Sequence, residues 1–315
     1  MFLGCDTMFG VFLVSQLCVG VAGNLFLFLL YMHTFSVQRH MKLMDPVFSH
    51  LTLANTLTIT FTLTPHIASS FGVRQFLDDV GCKAVLYMYR VTRGVSICAT
   101  SLLSAFQAIT VSPRNSKWAW LKFKLHTQIC PWFLFFWIIN MLIYIHAIRS
   151  ITAIRNSTLV GYGYVHAYCQ TGPFGKHSSS SYVIVILVRD LVFVVLMLCT
   201  SLYMVSLLHR HHRRAQHLHS PHVSSQTSPE HKATHTILLL VGCFVVFYFA
   251  NNCLTLYSIY THKKILSLEG LSGVLSSCYP TICPFLLMKN NKIVSQFTSS
   301  FSVMGLRGSQ RAFDG

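Results

Sequence analysis

The sequence predicts an all-α membrane protein, a bundle of seven transmembrane helices with the N-terminus outside and the C-terminus in the cytoplasm. Three observations predict it. Of the 315 residues, 53% are hydrophobic and only 10% are charged; the mean hydropathy is +0.53; and the apolar residues come in long runs rather than at scattered core positions. Soluble domains average about 25% charged residues, so this chain lacks the polar surface that a water-soluble globule needs.

A helical span needs about 20 largely apolar residues to cross the hydrocarbon. The first candidate lies near 8–32; with no charged leader and no cleavage site before it, it reads as an uncleaved signal anchor rather than a secretory signal peptide. The second lies near 46–70 and the third near 84–110, the latter weakened in hydropathy by Arg90 and Arg93. The fourth covers 127–148. The fifth (181–208) and sixth (234–260) are clear, the sixth running apolar from Ile237 to Leu256. The seventh, 265–288, carries Glu269 and several Ser and Gly. Dropping the third or the seventh would leave Cys82 and Cys169, or the two basic loops, on inconsistent sides. Residues 1–315 therefore read as one seven-helix domain with a short cytoplasmic tail over 289–315, and no separate soluble domain is expected.

Positive loops stay cytoplasmic, which orients the bundle. The segments assigned inside hold 14 Lys and Arg, among them Arg114, Lys117, Arg210 and Lys292, against 7 outside. Four of the eight acidic residues, Asp6, Asp78, Asp79 and Glu269, also fall outside. The net charge of +16 is then mostly this inside bias plus attraction to anionic membrane lipid. Nucleic acid is a poor partner for it, because the charge is divided among short loops.

The longest outside loop carries Asn156-Ser157-Thr158, a glycosylation acceptor. Cys82 opens the third span and Cys169 lies in that same loop, both facing an oxidising compartment, so a disulfide between them is expected to pin the loop over the bundle. Most of the other cysteines among the 11 sit in apolar spans, where a free Cys is a small hydrophobe. The stretch 209–235 is rich in His, Ser and Pro. With no paired Cys or carboxylates at ligand spacing, it reads as a basic loop and helix extension at the membrane surface; no metal and no cofactor is expected.

Charged groups inside a membrane are expensive and usually mark function. Here they are Arg90 and Arg93 in the third span, and Arg189 and Asp190 in the fifth. An ion or proton pathway would need a relay of carboxylates, and Asp190 is the lone acid deep in any span. No zinc-protease motif, nucleophile elbow or carboxylate pair is present, so no enzyme is expected. At 1.5 Å per residue, Arg90 lies about 12 Å below Cys82, Arg93 about 16 Å, and Asp190 about 12 Å below Tyr182, so these charges can share one layer. Two readings stay open: the arginines contact a ligand, or they are structural and satisfied by protein partners or by snorkelling.

The residues also carry a resemblance over nearly the whole chain. Gly23-Asn24 and Leu53-Ala54-Asn55 resemble span-one and span-two landmarks of rhodopsin-like G-protein-coupled receptors, with Asn55 in place of the usual Asp. The departures are specific. Phe106-Gln107-Ala108 stands where Asp-Arg-Tyr is usual, Phe247-Tyr248-Phe249-Ala250 lacks the span-six Pro, and Cys283-Pro284-Phe285-Leu286-Leu287 replaces Asn-Pro-x-x-Tyr. The strings Phe76-Leu77-Asp78-Asp79-Val80-Gly81-Cys82-Lys83, Tyr89-Arg90-Val91-Thr92-Arg93-Gly94, and Phe106-Gln107-Ala108-Ile109-Thr110-Val111-Ser112-Pro113-Arg114-Asn115-Ser116-Lys117-Trp118 closely resemble the vomeronasal type-1 receptor family. So do Leu208-His209-Arg210-His211 and Pro280-Thr281-x-Cys283-Pro284-Phe285.

The resemblance implies a chemosensory receptor of the plasma membrane that binds a small pheromone-like molecule among the outer helix halves. It also implies activation of a heterotrimeric G protein of the inhibitory class. The ligand-binding residues expected are Arg93, Arg90, Tyr89, Asp190 and Arg189. Phe106, Gln107, Ser112, Pro113, Arg114 and Lys117 are expected at the G-protein contact, and Asn24, Asn55 and Pro284 in activation. Without Asp-Arg-Tyr the usual ionic latch is missing, and Gln107 can hydrogen-bond in its place. Pro284 removes an N–H and so frees a carbonyl in span seven. The alternative reading, a transporter or membrane-embedded enzyme, finds no acid network in the spans to support it.

Overall fold

The computed structural model describes residues 2–38, 44–73, 77–113, 119–145, 151–153, 169–171, 176–218, 229–261, 266–289 and 294. The described residues form seven helices: α1 Phe2–Gln38, α2 Asp45–Ser70, α3 Asp79–Val111, α4 Ala119–Ile145, α5 Lys176–Leu218, α6 Pro229–Thr261 and α7 Leu266–Lys289. Five of them, α1, α3, α5, α6 and α7, contain stretches long and apolar enough to cross a membrane. Between α4 and α5 lie two short strands, β1 Ile151–Ala153 and β2 Cys169–Thr171, paired antiparallel with Ala153 opposite Cys169. The ribbon is an addition to the all-helical expectation. Three-residue strands leave no periodicity to read, and an isolated two-stranded hairpin is marginal in water; this one is fastened to the bundle by a disulfide.

Local chemistry explains the helix ends. The side chain of Asp78 caps α3 by accepting from the Gly81 N–H at 2.7 Å, satisfying one of the orphan donors of the first turn. At its other end α3 stops at Val111, with Ser112 extended at ψ 141°, because the following Pro113 disfavours helical geometry at that position. α2 ends in a Schellman motif: the Gly72 N–H donates to Ser69 O at 3.1 Å and the Val73 N–H to Ala68 O at 3.0 Å. That motif needs a left-handed residue after the cap, and Gly72 supplies it at φ 81°.

α2 falls short of the apolar threshold because of its threonines, yet their hydroxyls cost little in the membrane. Thr52, Thr56, Thr58, Thr60 and Thr62 each donate to the backbone carbonyl four residues back, at 2.7–2.9 Å. Such back-bonding is the usual way for Thr to be satisfied within a helix. α5 runs on through the histidine-rich segment as far as Leu218.

α3 is the central helix, packed on α2, α4, α5 and α6, while α1 packs on α2 and α7, and α7 on α2 and α6. One apolar cluster fills the middle, including Leu51, Leu103, Phe106, Phe136, Met204, Leu240 and Cys283. A smaller one joins Leu13, Ile59 and Leu63, with Val274 of α7 packed against it. Outward the helices present apolar side chains, for example Val188, Leu191 and Leu202 on α5 and Phe249 on α6, each more than half exposed. In water so much exposed apolar surface is a liability; against lipid tails it is the matching surface. This is a multi-pass membrane protein.

Candidate functional site

Cys82, in the first turn of α3, is bonded to Cys169 of β2, with Cα atoms 5.8 Å apart. Both are fully buried. The pair ties the ribbon to α3 and marks the disulfide end of the bundle.

About three turns further along α3 lies a polar layer that crosses five helices. Its first half is an ion pair. Arg189 and Asp190, adjacent on α5, are joined by the guanidinium Nε and Nη2, both donating to Asp190 Oδ1. Arg189 also donates to Asn140 Oδ1 at 2.6 Å and to the Tyr144 hydroxyl at 2.9 Å, and Asn140 and Tyr144 share one face of α4 four residues apart. This approach depends on Gly94 of α3. A Cβ built there would lie 2.9 Å from Asn140 Cγ and closer still to its Oδ1, nearer than real Cβ atoms come, and a tight 3.0 Å from Arg189 Nη1.

The second oxygen of Asp190 accepts from the Tyr248 hydroxyl at 2.6 Å. The Tyr248 ring in turn faces Arg93, with the guanidinium carbon 5.3 Å from the ring centroid, within cation–π range. Arg93 Nη1 donates to the Tyr89 hydroxyl at 2.7 Å and to Ser276 Oγ at 3.3 Å. Asn251 of α6 completes the set. In the carboxamide orientation that satisfies both of its ends, the oxygen accepts from Arg93 Nη1 at 3.0 Å and Nη2 at 3.2 Å, while the nitrogen donates to Ser272 and Ser276. Both carboxylate oxygens of Asp190 are thus occupied. No carboxylate of a described residue lies within ion-pair distance of Arg93.

Arg93, Tyr248, Asn251 and Ser276 line one narrow cleft together with Thr58, Ser96, Phe244 and Tyr279. Of the residues expected at a ligand site, Arg93 lines it and Tyr89 holds Arg93 from behind. Asp190 reaches its edge through Tyr248, whereas Arg189 is turned toward α4. Arg90 is half-buried and meets no hydrogen-bond or ion-pair partner among the described residues. Tyr248, Asn251, Ser276, Asn140 and Tyr144 were not legible as site residues. Their one signal was polar side chains recurring at three- and four-residue spacing inside apolar runs.

A second set of polar contacts lies toward the opposite end. Gln107, 3% exposed, donates from Nε2 to Thr234 Oγ1 at 3.0 Å and so links α3 to α6. Ser104 and Thr200 share a hydrogen bond of 2.7 Å, and Ser112 and Tyr203 one of 2.9 Å, both joining α3 to α5. Phe106 is 1% exposed, so Phe106 and Gln107 face into the bundle in this conformation and only Pro113 of the described motif residues is exposed. Arg114, Lys117, Asn156 and the tail beyond 294 lie outside the described residues.

Between the two ends, Asn24 Nδ2 donates to Pro280 O at 2.9 Å. That is the carbonyl left without its helical donor because residue 284 is proline. Asn55 Oδ1 accepts from Ser96 Oγ at 2.7 Å, and the hydroxyls of Thr100 and Tyr279 meet at 2.6 Å, tying α3 to α7.

Residues 7–300 match the model of the vomeronasal organ pheromone receptor family. The chain is 36% identical to human vomeronasal type-1 receptor 4 over 285 residues, which is 90% of this chain and 95% of that protein. It is 32% identical to human vomeronasal type-1 receptor 3, covering 94% of each. It is also 32% identical to the zebrafish (Danio rerio) olfactory receptor class A-like protein 1, covering 91% of this chain and 90% of that one.

Proposed function

The chain belongs to the vomeronasal type-1 receptor family, whose members are signalling receptors and not enzymes, and on that premise we propose how it binds and signals. It takes a small pheromone-like molecule in the cleft around Arg93 and activates a heterotrimeric G protein, of the inhibitory class, at the opposite end of the bundle. The observation that carries the reading is Arg93 itself: a guanidinium lining a cleft inside the bundle, with only neutral partners within reach. A cation in that position is costly, and a ligand bearing an anionic or strongly accepting group supplies what is missing. Arg90 and Tyr89 stand beside it, and Arg189 with Asp190 sets the charge at the rear of the pocket.

The disulfide end faces outward and the tail over 289–315 lies in the cytoplasm of a plasma-membrane receptor, in contact with anionic lipid. The bias of basic residues supports that orientation, and so does the chemistry of a disulfide, which persists in oxidising compartments. The whole chain then acts as one receptor domain, with Asn156 available for glycan on the outside.

Signalling follows from differential affinity. An agonist shifts the resting–active equilibrium only by binding one state better than the other. Because Phe106 and Gln107 are covered, a G protein that uses them, with Ser112, Pro113, Arg114 and Lys117, requires α6 to part from α3. The Gln107–Thr234 bond breaks when it does. Asn24, Asn55 and Pro284 lie along the α1–α2–α7 side, where proline-freed carbonyls permit helix adjustment.

The test is a ligand screen of the full chain in cells coexpressing a promiscuous G protein, followed by Arg93→Gln and Arg90→Gln at matched surface level. Agonists with an acidic group are expected to lose potency, by tenfold or more for a contact of about 1.4 kcal/mol, and neutral agonists to lose less. Unchanged potency for every agonist in both variants would remove Arg93 from the pocket.

A further inference from the structure

We infer that Asn251 is the residue that keeps this pocket cationic, and thereby selects for an anionic ligand. The inference rests on the Arg93 pocket proposed above and adds the element that decides its charge. Asn251 is 5% exposed and sits on α6, one turn from Tyr248. Its one carboxamide oxygen bridges both terminal nitrogens of the Arg93 guanidinium at 3.0 and 3.2 Å, at the place where a carboxylate on the same side chain would set an oxygen. A carboxylate there would neutralise Arg93 within the protein. An amide orients the guanidinium as well, but leaves its charge in place.

The neighbours are arranged for the amide. Its nitrogen donates to Ser272 and Ser276, hydroxyls that can equally turn to donate to a carboxylate, so the site tolerates either group sterically and the choice between them is electrostatic. The nearby acid does not compensate. Asp190 has one oxygen committed to Arg189 and the other to Tyr248. Of the nitrogens that carry the five N–H donors of Arg93, Nη1 meets Tyr89, Ser276 and Asn251 and Nη2 meets Asn251, all neutral. Among the described residues none accepts from Nε. Donor capacity and charge both remain for a ligand in the cleft.

The experiment uses the full chain purified in lipid nanodiscs, with benzoate as an anionic probe and benzamide as its neutral match, at constant ionic strength. Thermal unfolding midpoints are read for wild type, Asn251→Asp, Asn251→Ser and Arg93→Gln. Benzoate is expected to raise the wild-type midpoint by about 2 °C or more and benzamide to leave it unmoved. Asn251→Ser, still neutral, is expected to keep the benzoate shift; Asn251→Asp and Arg93→Gln are expected to lose it. Without any probe, Asn251→Asp should unfold at a higher temperature than wild type, and at a lower one when Arg93→Gln is also present. Where Asn251→Asp yields no folded protein, Ser276→Asp delivers the same charge to Arg93 from α7 and carries the comparison.

A benzoate shift that survives in Asn251→Asp but vanishes in Arg93→Gln overturns the role of Asn251 and leaves the pocket standing. A shift that survives in Arg93→Gln, or none in wild type, overturns the pocket and this inference together.

Discussion

At the scale of single residues, the polar layer is held by what is absent from one of them. Gly94 is the position where α3 lets Asn140 and Arg189 approach its backbone. Replacing a helical Gly by Ala ordinarily gains about 1 kcal/mol of propensity. Here the added methyl must displace Asn140 and break the bond it makes with Arg189 at 2.6 Å, and overpacking costs about 1–3 kcal/mol. The loss of a hydrogen bond to a charged group adds about 1.5–3 kcal/mol, so the penalty wins. Gly94→Ala should lower the unfolding midpoint and surface level. Gly242 of α6, where a Cβ would meet nothing within 4 Å, provides the control, and Gly242→Ala should leave the midpoint equal or higher. If the two substitutions behaved alike, Gly94 would not be a packing position.

At the scale of elements, the disulfide fastens β2 to α3, against which β1 also packs. β1 and β2 pair over three residues each, and the cystine joins them to the capped first turn of α3. Closing a chain segment of 87 residues constrains the unfolded state strongly in the chain-entropy account, and loss of a native disulfide typically costs about 2–5 kcal/mol. Both cysteines act through one bond, so Cys82→Ser and Cys169→Ser should reduce surface delivery equally, and the double variant no further. Defects that simply add would show the two acting apart. A similar logic of paired elements runs through α7. Pro284 removes the donor for Pro280 O, and Asn24 of α1 supplies one, so a break within one helix becomes a bond between two.

At the scale of the whole molecule, the two polar regions are separated along α3 by packing around Cys98 and Leu103, crossed by the Asn55–Ser96 and Thr100–Tyr279 hydrogen bonds, and α6 touches both. Tyr248 and Asn251 reach the Arg93 layer, and Thr234 the Gln107 bond. A ligand that moves α6 at one end therefore bears on the other through one rigid element. That arrangement is meaningful only if the ends face opposite compartments. A tag placed after Gly315 should bind antibody only in permeabilised cells, and Asn156 should accept glycan in microsomes. Staining of the tail on intact cells would invert the bundle and remove the cytoplasmic assignment of Gln107.

What the sequence determined by itself was whatever depends on local free energy. Seven apolar runs, a capping Asp78, a helix stop before Pro113 and a Gly after the end of α2 are each decided within a few residues, because span formation and capping are local transfers and local hydrogen bonds. Arg93 was legible for the same reason: a charge in an apolar run is costly wherever its helix points. The arginines of α3 and the Ser and Gly of α7 weakened those spans to hydropathy, which does not count the partners a polar side chain finds inside the bundle. Tertiary structure alone decided how each helix is rotated about its axis, and apolar composition carries almost no information on that when one solvent is as apolar as the core. Rotation is what set Arg189 against α4 rather than into the cleft, brought Tyr248 between Asp190 and Arg93, turned Gln107 toward Thr234, and placed a neutral Asn251 where a carboxylate would have cancelled the charge of Arg93.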